Sequence, residues 1–397
     1  MNVLMFGWEF PPLSSGGLGT ACYGLTKGLS NNHVGIIFVV PSSMEIGCDF
    51  ARIISTGIIK IRKIDSIITP YMTSENYRTE TRSRPFNAIY GSDLFKEVHR
   101  YTALAARIAK EEEYDIIHCH DWMTFPAGIE AKKVSKKPLV VHVHATEFDR
   151  TGGNGINEHI YSVEKKGMDE ADLIIAVSNF TKSKIIQHYH INPDKIRVVH
   201  NAVDFKDCRE ETFEIKKYDK LVLFLGRITL QKGPDYFLYV AKKVLEYQPN
   251  VKFIMAGTGD MEHFIMEKAA ELGIGKNVLF AGFLKGNDID KAYQMADVYV
   301  MPSVSEPFGI TPLEAMRNKT PVIISKQSGV SEVITHCLKA DFWDIDEMAN
   351  KILAVLNYTV LHQTLKDGGL GEIKRFTWDK PARECLSLYR GLLGGGA

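Results

Sequence analysis

Residues 297–333 read DVYVMPSVSEPFGITPLEAMRNKTPVIISKQSGVSEV. Asp297 to Met301 is a short apolar run, a Pro/Ser loop follows, and helix signals begin at Thr311. Thr311 fits the N-cap. Pro312 fits the first helical position, where no amide donor is needed. Glu314 fits the third, where its carboxylate answers the cap amide in a capping box. Beyond Asn318 and Lys319 the chain turns through Pro321 into a second apolar run, 322–325. Strand, loop, helix and strand in that order make a parallel crossover, whose loop belongs at the carboxyl edge of the sheet, where such folds take ligands. Glu306 and Glu314 are thus two acids delivered to one sheet edge. From this window alone, half a capping box and a solvated loop acid explain them as well as a site does; a cation elsewhere that needs them separates the two readings.

The chain has 397 residues, enough for two domains of ordinary size, and its formal net charge is zero with 24% charged residues. That balance removes the simplest argument for nucleic-acid binding. The six cysteines, Cys22, Cys48, Cys119, Cys208, Cys337 and Cys385, lack metal-ligand spacing and fit a reduced, cytoplasmic protein. The N-terminus reads as a strand and loop rather than a basic signal peptide, and no run approaches the length of a membrane span. A homo-oligomer is compatible with the sequence but not specified by it.

Working outward, residues 3–6 form a first strand, 7–19 a loop rich in Pro, Ser and Gly, 18–29 a helix and 35–40 a strand. Gly16, Gly17 and Gly19 let a polar ligand approach backbone amides at a helix start, or serve only a tight turn. β-branched runs occupy 53–68, and the polar stretch 69–92, with Tyr71, Tyr77, Arg78, Arg82 and Arg84, reads as a solvated insertion or a substrate-facing excursion. A helix over 94–112 leads to strands at 115–121 and 139–143, which deliver His118, His120, Asp121 and His144 near their carboxyl ends. Such histidines hydrogen-bond a hydroxyl or carbonyl without needing charge, or satisfy buried backbone groups; no short metal-ligand pattern is present. A helix over 157–171, a strand over 173–177, a Ser178 cap and a strand over 196–199 complete a first sheet, and the polar residues 204–220 read as a linker.

The second half begins with a strand at 221–225, after which Gly226, Arg227 and Lys232 precede a helix over 236–245. Arginine makes paired donor contacts to phosphate and lysine supplies a point charge, although from this loop alone ordinary surface charge is the favoured explanation of both. Strands at 251–255 and 278–281 and helices at 261–272 and 288–295 lead into the opening stretch. Ser331, Glu332 and Val333 begin a short helix, and helices follow at 345–356 and 378–388 with Gly368 to Gly371 between their regions. Two α/β domains carrying ligand-type loops favour an interdomain cleft, with Gly17 and His144 on one side and Arg227, Lys232, Glu306 and Glu314 on the other.

These residues resemble the retaining GT-B glycosyltransferases, in the branch of glycogen and starch synthases and sucrose-forming enzymes. The likeness rests on SSGGLG at 14–19, HCHDW at 118–122, HVHATE at 142–147, GRITLQKG at 226–233, SVSEPFGITPLEA at 303–315 and FTW at 376–378. The combination of Arg227 and Lys232 with the E-x7-E pair Glu306 and Glu314 makes it specific. The resemblance implies an α/β GT-B fold of two Rossmann-like domains: 1–203 on the acceptor side, 204–374 binding nucleotide sugar, and 375–397 as a C-terminal helix packing back on the first.

By the same resemblance, His144, Arg227, Lys232 and Glu306 are catalytic. Gly16, Gly17, Phe308, Gly309, Ile310, Thr311 and Glu314, with Arg227 and Lys232, bind the donor. Arg227 and Lys232 would hold the diphosphate, Glu306 the sugar and Glu314 the ribose hydroxyls. No metal or other cofactor is required, and the donor is an ADP-, UDP- or GDP-sugar. The implied activity is retaining transfer of a hexose, with glucose expected, to a hydroxyl on a glucan or small saccharide. A sugar phosphorylase, a nucleotide-sugar epimerase and a noncatalytic nucleotide-sugar sensor are the alternatives. The SSGGLG loop lacks the lysine usual in glycogen and starch synthases, which weighs against glucan elongation in particular.

Overall fold

The computed structural model describes residues 1–11, 16–42, 59–65, 92–153, 155–205 and 220–394. The loop residues 12–15, most of the 53–68 runs, the insertion at 69–91 and the linker at 206–219 lie outside the described residues. The chain divides into two compact units. Unit 1 comprises Met1–Glu147, Gly155–Ala202 and Thr377–Ala397, and unit 2 comprises Phe148–Asn154 and Val203–Phe376.

In unit 1, seven described strands form one parallel sheet. They are β1 (Asn2–Phe6), β2 (Gly35–Ser42), β3 (Ile59–Asp65), β4 (Ile116–His120), β5 (Leu139–Val143), β6 (Leu173–Ala176) and β7 (Ile196–Val198), in the order β3-β2-β1-β4-β5-β6-β7. Central strands β1, β4 and β5 are almost wholly apolar or histidine and are buried along their length, as expected of a parallel sheet covered on both faces. The chain reverses direction in strand order after β3, so the carboxyl ends of β1 and β4 flank the switch point where such sheets open to ligands. The helix Gly17–Asn31 follows β1, and the C-terminal helix Asp379–Leu392 packs on it. Gly24 and Gly28 permit that approach, because a Cβ on either would enter the Trp378 ring or backbone.

Unit 2 repeats the plan with six described strands: β8 (Leu221–Leu225), β9 (Lys252–Ala256), β10 (Val278–Gly282), β11 (Val298–Met301), β12 (Val322–Ser325) and β13 (Leu338–Ala340), ordered β10-β9-β8-β11-β12-β13. All its pairs are parallel. Its core is built from the inward faces of these strands and the helices Pro234–Tyr247 and Ile345–Asn357, with the Phe237 ring in contact with those of Phe224 and Phe253.

Three local expectations are corrected. The helix after β11 runs Thr311–Arg317, its N-cap is Ile310 without a side-chain bond, and no capping box forms. The Thr311 hydroxyl instead accepts from Tyr299 Oη at 2.8 Å and Glu314 accepts from Tyr293 Oη at 3.2 Å. Two buried tyrosines on neighbouring elements thus take both side chains away from the helix end. Gly368 to Gly371, left outside any helix by the sequence, lie inside one, Thr359–Ile373. Packing outweighs their poor propensity: a Cβ on Gly368 would enter the His336 ring, and Gly369 lies against Met316. Finally, Ser331 and Glu332 end a 3-10 turn, Gly329–Glu332, which Val333 caps, and β13 follows where the sequence signals no strand.

Candidate functional site

In unit 2 the site residues lie in the loops leaving β8, β9, β11 and β12. The β8 and β9 exits are joined backbone to backbone: Gly226 N donates to Ala256 O and Ile228 N to Thr258 O, each at 3.0 Å. Gly257, at φ +136°, is required here, since a Cβ would run into the Gly226 carbonyl. This seam fixes the backbone of Arg227, whose Nη2 donates to Gln231 Oε1 at 3.3 Å. Gln231 is buried and its carbonyl accepts the Val304 amide at 3.0 Å, linking the β8 loop to the β11 loop.

Lys232 ends a short 3-10 turn at Gly233, which has φ +63° and sits so close to the Pro302 carbonyl that only glycine fits. The turn presses Lys232 against the β11 loop, where Nζ reaches Glu306 Oε2 at 2.5 Å. The same Oε2 accepts from Ser303 Oγ at 3.2 Å, and Glu306 is only 6% exposed. Its backbone is pinned as well, bridging to Ser328 and exchanging bonds with Gln327 O and Gly329 N at 2.9 Å. A buried carboxylate held by a lysine in this way is an anion whose counter-ion a phosphate would compete for.

Phe308 is buried and its carbonyl accepts the Val330 amide at 2.7 Å. Gly309 turns the chain at φ +99°. Among the described residues neither Gly309 nor Ile310 donates its amide to a protein acceptor. Glu314 stands apart from the Lys232–Glu306 pair, on the helix, with Tyr293, Arg317 and Asp290 around it. Burial pushes its carboxyl above the usual range, while Arg317 and the Tyr293 hydroxyl pull the other way.

In unit 1, Gly16 caps the helix Gly17–Asn31 in extended backbone with no side-chain bond, and a Cβ on Gly17 would meet nothing. Neither conformation nor packing demands glycine at Gly17, and the extended backbone of Gly16 is one any residue adopts. A buried acid overlooked in the sequence, Glu9, accepts the Gly19 amide at 3.2 Å. Asp121, at φ +60°, accepts the amides of His144 at 2.7 Å and Ala145 at 3.2 Å and thereby fixes the exit of β5.

His118 and His120 on β4, His142 on β5 and His144 just past its end lie on one side of the sheet, with His120 directly opposite His142. Their rings stack, with centroids 4.5 Å apart for His118 and His120 and 4.3 Å for His142 and His144. His118 Nδ1 lies 2.5 Å from Tyr389 Oη, and His120 Nδ1 3.0 Å from His144 Nε2. Burial is the main force keeping all four neutral: it takes His118 down to about 3, and repulsion between neighbours depresses His120 and His142 further. His142 was passed over in the sequence, although its alternation with His144 on a buried strand is the signal that finds it. Ligand atoms of His118, His120 and His142, and of Cys22, His120 and His144, lie within 4.8 Å of one another. The first three rings are within 30° of parallel, so their lone pairs do not converge on one point without ring rotation.

Residues 15–207 match the model of Glycosyltransferase Family 4, and residues 207–368 that of Glycosyl transferases group 1. The chain is 29% identical to an uncharacterised glycosyltransferase of Methanocaldococcus jannaschii, over 98% of each. It is 24% identical to the glycogen synthase of Mycobacterium tuberculosis, over 84% of this chain and 80% of that one. Its fold is similar to sucrose-phosphate synthase from Thermosynechococcus elongatus, with a TM-score of 0.79 at 18% identity over 100% of both chains. Among the described residues, no helix is long and apolar enough to cross a membrane.

Proposed function

Starting from a chain that belongs to the GT-B glycosyltransferases of the glycogen- and sucrose-synthase-like group, we propose that it transfers a hexose, with glucose as donor sugar, from a nucleoside-diphosphate sugar to a saccharide hydroxyl with retention at the anomeric carbon. The observation that carries this reading is the Lys232–Glu306 contact in the loops of unit 2, with Arg227 tied to the same loops through Gln231. Diphosphate oxygens take Lys232 and Arg227 as counter-ions, and the released Glu306 carboxylate accepts from sugar hydroxyls. Charge accumulating on the leaving diphosphate is then stabilised by groups already in place. Gly309 and Ile310 amides donate to donor oxygens, Thr311 supports that turn, and Glu314 grips the ribose hydroxyls. Gly16 and Gly17 leave room for the ligand at the start of their helix, and His144 bonds the transferred sugar.

In this reading the acceptor attacks the face that the diphosphate leaves, through an oxocarbenium-like state, and a phosphate oxygen takes the acceptor proton. A double displacement through an enzyme carboxylate requires an acid free to attack the anomeric carbon; in this reading Glu306, bonded by Ser303 after Lys232 turns to the diphosphate, is engaged with sugar hydroxyls instead. With two cations on the diphosphate, the reading needs no metal, and turnover is expected to survive chelation by EDTA. The cysteines described, Cys22, Cys119, Cys337 and Cys385, are free thiols, which fits work in the cytoplasm.

The test is a mass-spectrometric screen of the purified protein with UDP-, ADP- and GDP-sugars against glucan, monosaccharide and sugar-phosphate acceptors, with anomeric assignment by NMR. An α-linked product from an α-linked donor is expected. Sugar phosphate release, donor isomerisation, or tight donor binding without product would replace transfer by phosphorolysis, epimerisation or sensing. A trapped, kinetically competent sugar adduct on the protein would overturn front-face attack.

A further inference from the structure

The four stacked histidines carry more hydrogen-bonding capacity than the fold uses. His118 Nε2, His120 Nε2 and both nitrogens of His142 are buried without a partner, while His120 Nδ1 faces His144 Nε2 at 3.0 Å. A neutral imidazole has one N–H and one lone pair, so that contact has two arrangements. If His144 Nε2–H donates, the proton of His120 sits on Nε2, where it is a buried donor with no acceptor. If His120 Nδ1–H donates, only a lone pair is left bare at Nε2. Orphaned N–H groups are the rarer and costlier of the two in folded proteins. His120 is fully buried, and burial together with His118 and His144 prevents it from escaping the choice by taking a second proton.

We propose that His120 is a positioning residue that fixes the tautomer of His144: His120 Nδ1–H donates to His144 Nε2, and the proton of His144 is held on Nδ1. His144 is half-buried, so Nδ1–H is the nitrogen it presents outward. His144 then offers a hydrogen-bond donor to a sugar oxygen, and its only lone pair is occupied by His120. It is therefore not the base that deprotonates the acceptor. The assignment of the tautomer stands on unit 1 alone; its consequence for catalysis rests on the transferase reading above.

Long-range 1H–15N correlation spectra of the histidine-labelled protein at neutral pH test the two parts separately. His144, assigned by its disappearance in His144→Gln, is expected as the Nδ1–H form. It should stay so in His120→Gln, whose side-chain amide can donate in place of Nδ1–H, and revert towards the Nε2–H form in His120→Leu. An Nε2–H tautomer in the wild-type protein overturns the proposal without any variant, as does an unchanged His144 signal in a folded His120→Leu. With a donor and acceptor identified, His120→Leu should lower kcat tenfold or more with donor KM changed less than threefold, and His120→Gln should recover most of that loss. A kcat loss in His120→Leu that His120→Gln leaves unrepaired overturns the catalytic consequence. If the wild-type tautomer is as proposed and no sugar donor is turned over, it is the transferase reading that has failed.

Discussion

At the scale of single residues, the Lys232–Glu306 contact links stability to the proposed chemistry. Glu306 is buried, so Lys232→Ala leaves a desolvated carboxylate without its counter-ion. The expected loss is about 3 kcal/mol, the lower end for breaking a buried pair because Lys232 keeps some exposure. Lys232→Ala combined with Glu306→Gln should recover part of it, as no buried charge remains. Urea unfolding of the single and double variants measures this, and a Lys232→Ala midpoint equal to wild type would deny that the pair supports the fold. Glu314 has a pH signature instead. Its carboxyl is raised by burial, so the proposed role of accepting from ribose hydroxyls is lost, as pH falls, at a higher pH than an ordinary glutamate near 4.3 would set. The donor KM should rise on the acid side in wild type. Glu314→Gln should bind donor more weakly at neutral pH but without that acid limb. The sequence singles these residues out by E-x7-E with an upstream Arg and Lys, and the structure brings Lys232 and Glu306 of that set into contact. Their partners Tyr293, Gln231 and Ser303 were not legible in the sequence, because side-chain contacts across loops depend on three-dimensional register rather than spacing.

At the scale of elements, loops are positioned by glycines whose necessity is visible only in space. Gly257 combines φ +136° with the Gly226 carbonyl at its missing Cβ. Gly257→Ala should therefore destabilise the protein by about 1–3 kcal/mol, as overpacking does. It should also weaken donor binding by displacing Arg227, measured as a lower urea midpoint and a higher donor Kd; a wild-type midpoint would show that the seam yields freely. Strands and long helices were legible from periodicity: 139–143, 221–225 and 322–325 are strands with the bounds their apolar runs suggest. Where reading failed, packing overrode local preference. The glycines of Thr359–Ile373 carry no helix signal but admit His336 and Met316, and the Thr311 and Glu314 side chains left the helix end for buried tyrosine hydroxyls.

At the scale of the whole molecule, the histidine stack makes unit 1 acid-sensitive. These imidazoles remain neutral in the folded state, with His118 held down to about 3, whereas the unfolded chain takes up protons below about 6.5. Stability is thus unaffected at higher pH and falls as pH drops below that value, by about 1.4 kcal/mol per pH unit for each histidine kept neutral. Urea midpoints at pH 7, 6 and 5 should decline steeply, and His142→Phe should flatten the slope by about one proton; no decline between pH 6 and 5 would contradict the stack. The sequence by itself determined the alternation of strands and helices, the parallel sheets and the residues brought to their carboxyl edges, because those follow from periodicity and chain direction. Only the tertiary structure decided that four histidines lie on one side of a sheet with nitrogens unmatched, that Lys232 is bound to Glu306, and that Glu314 answers a tyrosine. Each of these depends on which strands become neighbours and in what register, and the energies that choose neighbours are summed over the whole core rather than over any stretch of chain.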